Sequence, residues 1–306
     1  KVFLNVITTY SDYEFAFTGG QEEFEFGFDS GIEDWSIKTQ LSIYPSSRHK
    51  IKTGVDYVYH SFLPINFTIT MGDEETVLGV SGETFSHETA LYFEDEWDVT
   101  ELFKVYAGIR YSDFRHVGSF TRFPANEEAD TVVYAAGELV KRYGGWEPRL
   151  SARFITGPRS SVKAGYNENY QYVHLASLSG STMPMDVWIP SSDVVSPQWG
   201  RQISAGYFTD LGEERDYELS VEGYYKDLEN LVEYAENTQP TDNMETNTDN
   251  NLVFGDGWSY GAEFFLKKRR GDLNGWIGYT GGKPRGNFQT SIKERFIHLL
   301  TTEDMI

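Results

Sequence analysis

The 306-residue chain has no cysteine. That excludes a disulfide framework and a thiolate zinc site, though it does not fix the compartment. It also lacks any apolar run near 18 residues, and its mean hydropathy is -0.47. Transmembrane helices are therefore excluded, but transmembrane β-strands are not, because their alternation averages out as polar. Positive charge is scarce: 26 Lys and Arg stand against 47 Asp and Glu, a net of -21. Counterion release from phosphates needs the opposite balance, so no nucleic-acid partner is expected. With 10 Pro and 29 Gly the chain is neither collagenous nor a low-complexity linker.

Catalytic signatures are missing as well. The six histidines are scattered, with no His-Glu-x-x-His and no Gly-x-Ser-x-Gly elbow. Gly281-Gly282-Lys283 lacks the phosphate-loop spacing and runs into Pro284. No enzyme activity and no cofactor are expected. Carboxylates two apart, Glu94 with Glu96 and Glu23 with Glu25, share a strand face at acid/base spacing. No other site feature accompanies them, and hydrated wall or rim carboxylates account for them.

What is abundant is aromatic residue, 20 Tyr and 21 Phe, and a period of two. Phe103, Val105, Ala107, Ile109 and Tyr111 oppose Lys104, Arg110 and Ser112. Tyr217, Leu219, Val221 and Tyr225 oppose Glu218, Ser220, Glu222 and Lys226. Such alternation gives each strand one apolar and one polar face. About eleven strands follow, near 2–16, 32–44, 50–62, 84–97, 102–114, 146–156, 160–169, 199–210, 215–233, 252–268 and 273–280. Many exceed the ~9–11 residues that a tilted strand needs to cross a bilayer.

Connections alternate between tight turns (45–49, 98–101, 157–159, 211–214, 269–272) and long polar loops (63–83, 115–145, 170–198, 234–251). Outer-membrane barrels have this asymmetry, with short turns at one end and long loops at the other. In hydrocarbon every unpaired backbone group is costly, so a spanning sheet must close on itself. Aromatics near strand ends, among them Tyr44, Trp97, Phe103, Trp146 and Tyr207, suit the two headgroup girdles. The expected fold class is all-β, an antiparallel up-and-down transmembrane β-barrel in the bacterial outer membrane, in contact with its lipid. A self-contained smaller barrel or a secreted all-β adhesin is the alternative.

Acidity is oriented in the same way. The windows 11–36, 63–83, 113–146, 168–198 and 233–256 hold 26 acidic and 4 basic residues, and the remainder holds 21 and 22. The negative charge therefore lies at the long-loop end.

Ordered blocks from Glu147 to Thr280 carry a resemblance. They include Glu147-Pro148-Arg149-Leu150-Ser151-Ala152-Arg153-Phe154, Ser161-Val162-Lys163-Ala164-Gly165-Tyr166-Asn167 and Tyr170-Gln171-Tyr172-Val173-His174-Leu175. Asp186-Val187-Trp188-Ile189-Pro190, Gln202-Ile203-Ser204-Ala205-Gly206-Tyr207-Phe208 and Leu273-Asn274-Gly275-Trp276-Ile277-Gly278-Tyr279-Thr280 follow in order. Together they resemble the barrel of TonB-dependent outer-membrane receptors, in the Bacteroidetes-like style. Residues 1–146 share only the rhythm of strands and loops.

The resemblance implies uptake of a scarce nutrient (a siderophore, an oligosaccharide or similar). It also implies a lumen-filling plug domain and a TonB-type energy-coupling protein as partners in the full-length protein. Neither the plug nor the coupling segment has a counterpart here, and the family's barrel has twice as many strands. The expectation is an internal, partial barrel over 1–280. An irregular or helical tail, truncated or non-native, is expected over 281–306, where Ile292, Phe296, Leu299 and Leu300 would share a helix face.

Ligand capture is expected on the long loops. Tyr170, Tyr172, His174 and Trp188 are the candidates, since rings with polar tips stack on sugars or chelates. The competing expectation is that they pack the loop onto the rim. Loop 234–251 carries Glu236, Asp242, Asn243, Glu245, Asn247, Asp249 and Asn250. Their spacing fits no calcium loop, so a solvated loop and no metal are expected.

Overall fold

The computed structural model describes residues 1–21, 24–72, 74–78, 82–123, 130–176, 187–236, 238, 246–271, 273–288 and 291–295. Eleven strands of 12 to 23 residues build the wall. They are β1 (Val2–Gln21), β2 (Phe24–Ser46), β3 (His49–Met71), β5 (Thr84–Asp98), β6 (Phe103–Val117), β9 (Leu139–Gly157), β10 (Ser160–Gln171), β13 (Gln198–Leu211), β14 (Tyr217–Tyr234), β15 (Leu252–Lys268) and β16 (Gly275–Phe288). Short strands fill the connections: β4 (Glu74–Leu78), β7 (Phe120–Arg122), β8 (Val132–Tyr134), β11 (Val173–Ala176) and β12 (Val187–Pro190), with β17 (Ser291–Arg295) last.

One antiparallel sheet runs β1-β2-β3-β5-β6-β9-β10-β13-β14-β15-β16-β17, with β4 added beside β3. The hairpins β7–β8 and β11–β12 stand apart from it. Each long strand pairs with its sequence neighbours, the up-and-down order expected. Among the described residues β1 and β17 each pair on one side only, so the sheet is open.

Register fixes the two faces. Val55, Leu91, Tyr111 and Trp146 form one row across β3, β5, β6 and β9. Thr53, Phe93, Ile109 and Pro148 form the row beneath it. Leu91, Phe93, Ile109, Trp146, Leu150 and Phe154 are all exposed. Exposed apolar rows of this length belong against lipid. The opposite face carries Asp56, Glu94, Arg110, Arg149 and Lys163, as the interior of an outer-membrane barrel does.

Aromatics recur eight residues apart on the outer face, as Phe103 with Tyr111, Trp146 with Phe154 and Tyr217 with Tyr225. Eight steps make ~26 Å of strand, or ~20 Å of height at the usual tilt, close to the ~25 Å apolar band of such barrels.

The buried apolar cluster is not at mid-height. Phe28, Ala176, Val187, Ile189, Val195, Tyr234 and Leu252 form it where the β11–β12 hairpin packs on the strand ends. At mid-height most apolar side chains face out and most inner ones are polar, so among the described residues the buried apolar cluster lies at the rim.

Two expectations are corrected. The strands outrun their predicted ends: β3 reaches Met71, β6 reaches Val117 and β9 starts at Leu139. Parts of the supposed loops 63–83 and 115–145 are therefore strand. Beyond the bilayer the hydrogen-bond ladder continues, while the lipid-facing apolar selection that makes a strand visible in sequence has ended.

The sheet also does not stop at Thr280. β16 continues to Phe288 and pairs with β15 throughout, and β17 follows as strand where a helix face was expected. Gly281, Gly282 and Gly286 carry no alternation, which hid the strand. Pro284 pairs with Ser259 of β15 and lies outside the described β16–β17 pairs. Phe296, Leu299 and Leu300 lie outside the described residues.

Candidate functional site

The inner face carries a continuous polar network. Arg110 on β6 meets three carboxylates: Asp56 at 2.5 Å, Glu147 at 3.7 Å and Glu88 at 3.8 Å. Lys38 stands 3.7 Å from Asp56, and Arg149 stands 3.5 Å from Glu147. Three carboxylates thus face three cations. The side chain of Glu147 is 5% exposed, so its charge is tolerated only because partners surround it. Below lies a polar groove of about 200 Å³ lined by Lys38, Lys52, Asp56, Tyr92, Glu94 and Arg149. Of the paired carboxylates, Glu96 binds Lys104 at 2.8 Å, and Glu23 lies outside the described residues.

The network reaches the rim through Tyr172. Ser112 Oγ donates to Glu147 at 2.7 Å and shares a 2.7 Å hydrogen bond with the Tyr172 hydroxyl. The Tyr172 ring stacks on Phe114, with centroids 5.0 Å apart and planes within 2°. Burial pushes the Tyr172 phenol pKa up. Tyr170 stacks on Tyr172 at 6.2 Å and covers Gly145, where any Cβ would overlap its ring.

His174 on β11 is buried, with Nε2 2.9 Å from Ser191 Oγ. Its Nδ1 is buried and has no hydrogen-bond partner among the described residues. Burial lowers its pKa from 6.5 to about 4, so the ring is neutral. Trp188 on β12 is half-buried and lines a small cleft with Phe62, His116, Phe120, Asn247 and Asp249.

The four ring residues are therefore gathered at one rim but in two environments. Tyr172 and His174 are closed off by packing. Tyr170 and Trp188 keep surface towards solvent.

A second cluster ties three loops together. Arg122, on β7, gives Nη1 and Nη2 to Asp249 at 2.6 and 2.9 Å. The same guanidinium binds Asp193 through Nε at 3.2 Å and through Nη2. Ser192 Oγ donates to Asp249 at 2.6 Å. Asn247 accepts from the Phe123 backbone N–H at 2.7 Å and donates to the Thr121 carbonyl at 2.9 Å.

The expectation of a solvated loop 234–251 is thus corrected at its end. Asn247, Thr248 and Asp249 are buried, and the Asp249 carboxylate is held by the Arg122 guanidinium. Residues 239–245, Asp242, Asn243 and Glu245 among them, lie outside the described residues. Among the described residues no group of three or more His, Cys, Asp or Glu is arranged to hold a metal.

Comparison with known proteins agrees with this architecture. The family model for the TonB dependent receptor-like β-barrel matches residues 3–295. Solved structures share the fold at low identity. The ferric yersiniabactin uptake receptor FyuA from Yersinia pestis superimposes with a TM-score of 0.60 at 12% identity, over 94% of this chain and 40% of that one. The ferric-catecholate import receptor Fiu from K12 E. coli gives 0.58 at 15%, over 95% and 46%. The copper transporter OprC gives 0.61 at 11%, over 92% and 46%. The chain thus spans under half the length of these relatives. No curated protein matches it. The family match, the oriented strand order and the outward apolar band together establish that this chain belongs to the TonB-dependent receptor β-barrel family of outer-membrane proteins.

Proposed function

We propose that this chain supplies part of the wall and rim of an outer-membrane importer for a scarce nutrient, such as a siderophore, an oligosaccharide or a similar ligand. The family match over residues 3–295 is the observation that carries the reading. The wall's two open edges fit a larger closed barrel, since an unpaired strand edge in hydrocarbon is costly. In that assembly the inner network around Arg110 faces a plug domain, and a TonB-type partner supplies energy from the periplasm.

Tyr170 and Trp188 are the proposed ligand contacts, because both keep exposed surface on a rim fixed from below by Tyr172 and His174. Ligand identity is the finer part of the proposal. FyuA and Fiu are named for ferric chelates and OprC for copper.

The test is uptake by cells carrying or lacking the full gene, with ferric siderophores, copper and oligosaccharides supplied singly as the limiting nutrient. One nutrient should require both the gene and the energy-coupling protein. Growth on every nutrient without the gene, or uptake indifferent to energy coupling, would overturn the reading.

A further inference from the structure

The outer face carries a feature that a uniform lipid annulus does not require. At mid-band, beneath the long-loop girdle, lies an open apolar groove of about 630 Å³. Val55, Leu91, Phe93, Ile109, Tyr111 and Trp146 line it, with Leu4 and Leu41 on its far side. Its polar exposed surface is small, so it fits hydrocarbon rather than a polar ligand. The Tyr111 and Trp146 rings close its upper end, with centroids 4.9 Å apart.

Directly above those rings, register places a basic pair. Arg115 on β6 is paired with Arg142 on β9 and flanked by His87 on β5. Two residues below, Asp113 sits between Thr89 and Gly144. Asp113 holds both guanidiniums, Arg115 Nε at 2.8 Å and Arg142 Nε at 2.5 Å. Both arginine side chains stay half-exposed, at 52% and 54%, and the carboxylate between them is 12% exposed. Two cations against one anion leave the patch at +1. One carboxylate cannot use every donor of two guanidiniums, so these half-exposed side chains keep donors for a second anion.

Position makes this patch unusual. The acidic long-loop windows contain four basic residues, Arg115, Arg122, Lys141 and Arg142. Arg122 is turned inward to Asp249, and Lys141 lies over the Tyr143 ring, whose hydroxyl binds the Ser192 carbonyl. Arg115 and Arg142 alone of these four face the membrane side. Gly144 leaves room for the join: a Cβ there would come within 2.6 Å of the Tyr111 hydroxyl. Tyr111 can therefore stand between groove and basic pair. From Tyr111 to Arg115 is four residues, or ~13 Å of strand.

From this juxtaposition we infer that the β5–β6–β9 outer face is a binding site for a phosphate-bearing membrane lipid. One acyl chain lies in the groove, and the phosphate is held between Arg115 and Arg142. Guanidinium forks recognise phosphate through paired N–H donors. Below them the groove removes the chain from competition with bulk lipid. The inference requires membrane insertion but not nutrient transport.

The full-length protein in lipid nanodiscs provides the test. Phosphatidylcholine discs are doped with increasing brominated-chain phosphatidic acid, or with brominated-chain phosphatidylcholine. The Trp146 component of the fluorescence, taken as the difference from Trp146→Phe, is followed as it is quenched. Phosphatidic acid should half-quench it at a mole fraction at least fivefold lower than phosphatidylcholine. Arg115→Gln with Arg142→Gln should abolish the preference, and the Lys pair should retain part of it. Heat-modifiable gel mobility verifies folding of each variant. Equal midpoints for the two lipids, or a preference that survives the Gln pair, would overturn the inference. Competition by inorganic phosphate as effective as by phosphatidic acid would also overturn it, because the groove would then contribute nothing.

Discussion

Replacing Arg122 by Met should loosen three loops at once. Its side chain is 10% exposed, as is that of Asp249, while Asp193 is 34% exposed. Methionine approximates the arginine stem but removes the guanidinium. Among the described side-chain donors Asp249 then keeps the 2.6 Å hydrogen bond from Ser192. Breaking a buried pair by removing one partner costs about 3–5 kcal/mol, because the other charge stays desolvated. Most of that cost falls on Asp249, since Asp193 is exposed enough for water to take over. Local opening should therefore rise by about 100-fold to a few thousand-fold, at 1.36 kcal/mol per factor of ten.

Hydrogen–deuterium exchange of the full-length protein in detergent measures this directly. Amides of 119–123, 191–195 and 246–251 should lose protection together, and those of the β13–β14 ladder should not. Arg122→Met combined with Asp249→Leu should recover much of the loss, since no orphaned carboxylate remains. Protection unchanged within about threefold would refute the reasoning, because three-fold is under 1 kcal/mol. So would loss confined to 119–123, because the arginine would then not tie the other loops.

Three further outcomes follow. His174 has a folded pKa of about 4, below its ordinary 6.5, so the unfolded rim binds more protons between those values. Rim stability should be intact above pH 6.5 and fall as the pH drops towards 4, by at most about 3 kcal/mol. Exchange at 173–176 should show that fall, and His174→Phe should flatten it. Arg110→Met should leave Asp56, Glu88 and Glu147 facing one another and lower the temperature at which the folded gel band is lost. An unchanged transition would show the network to be solvated. Ala205→Arg, at mid-band on the outer face, should cost about 2–4 kcal/mol, against ~0–1 for Thr209→Arg nearer the short-turn interface. Reversible unfolding into lipid vesicles reads the difference, and equal costs would contradict the assigned depth.

Sheet order, faces and end-to-end asymmetry were legible because lipid imposes a strict period on residues such as Val105, Ile109 and Tyr111. Where lipid selection ends, so does legibility. The upper part of β3 and the Gly281–Phe288 half of β16 pair through backbone groups that sequence does not display. The rim was half legible. Tyr170, expected on a loop, ends the wall strand β10, while His174 and Trp188 lie on the β11–β12 hairpin and Tyr172 on the link between them. Their split into buried and accessible pairs depends on the β11–β12 hairpin, which folds Tyr172 onto Phe114 and His174 onto Ser191. Arg122 carried no signal, since Asp249 is 127 residues away and is brought near only by sheet order and loop folding.

Which side of the sheet meets lipid is the claim on which everything else rests. A nitroxide scan of residues 202–208 on β13, in the full-length protein in bilayers, tests it most directly. Oxygen accessibility should peak at Ile203, Ala205 and Tyr207 and fall at Gln202, Ser204 and Phe208. Reversed parity, or accessibility without a period of two, would contradict the account.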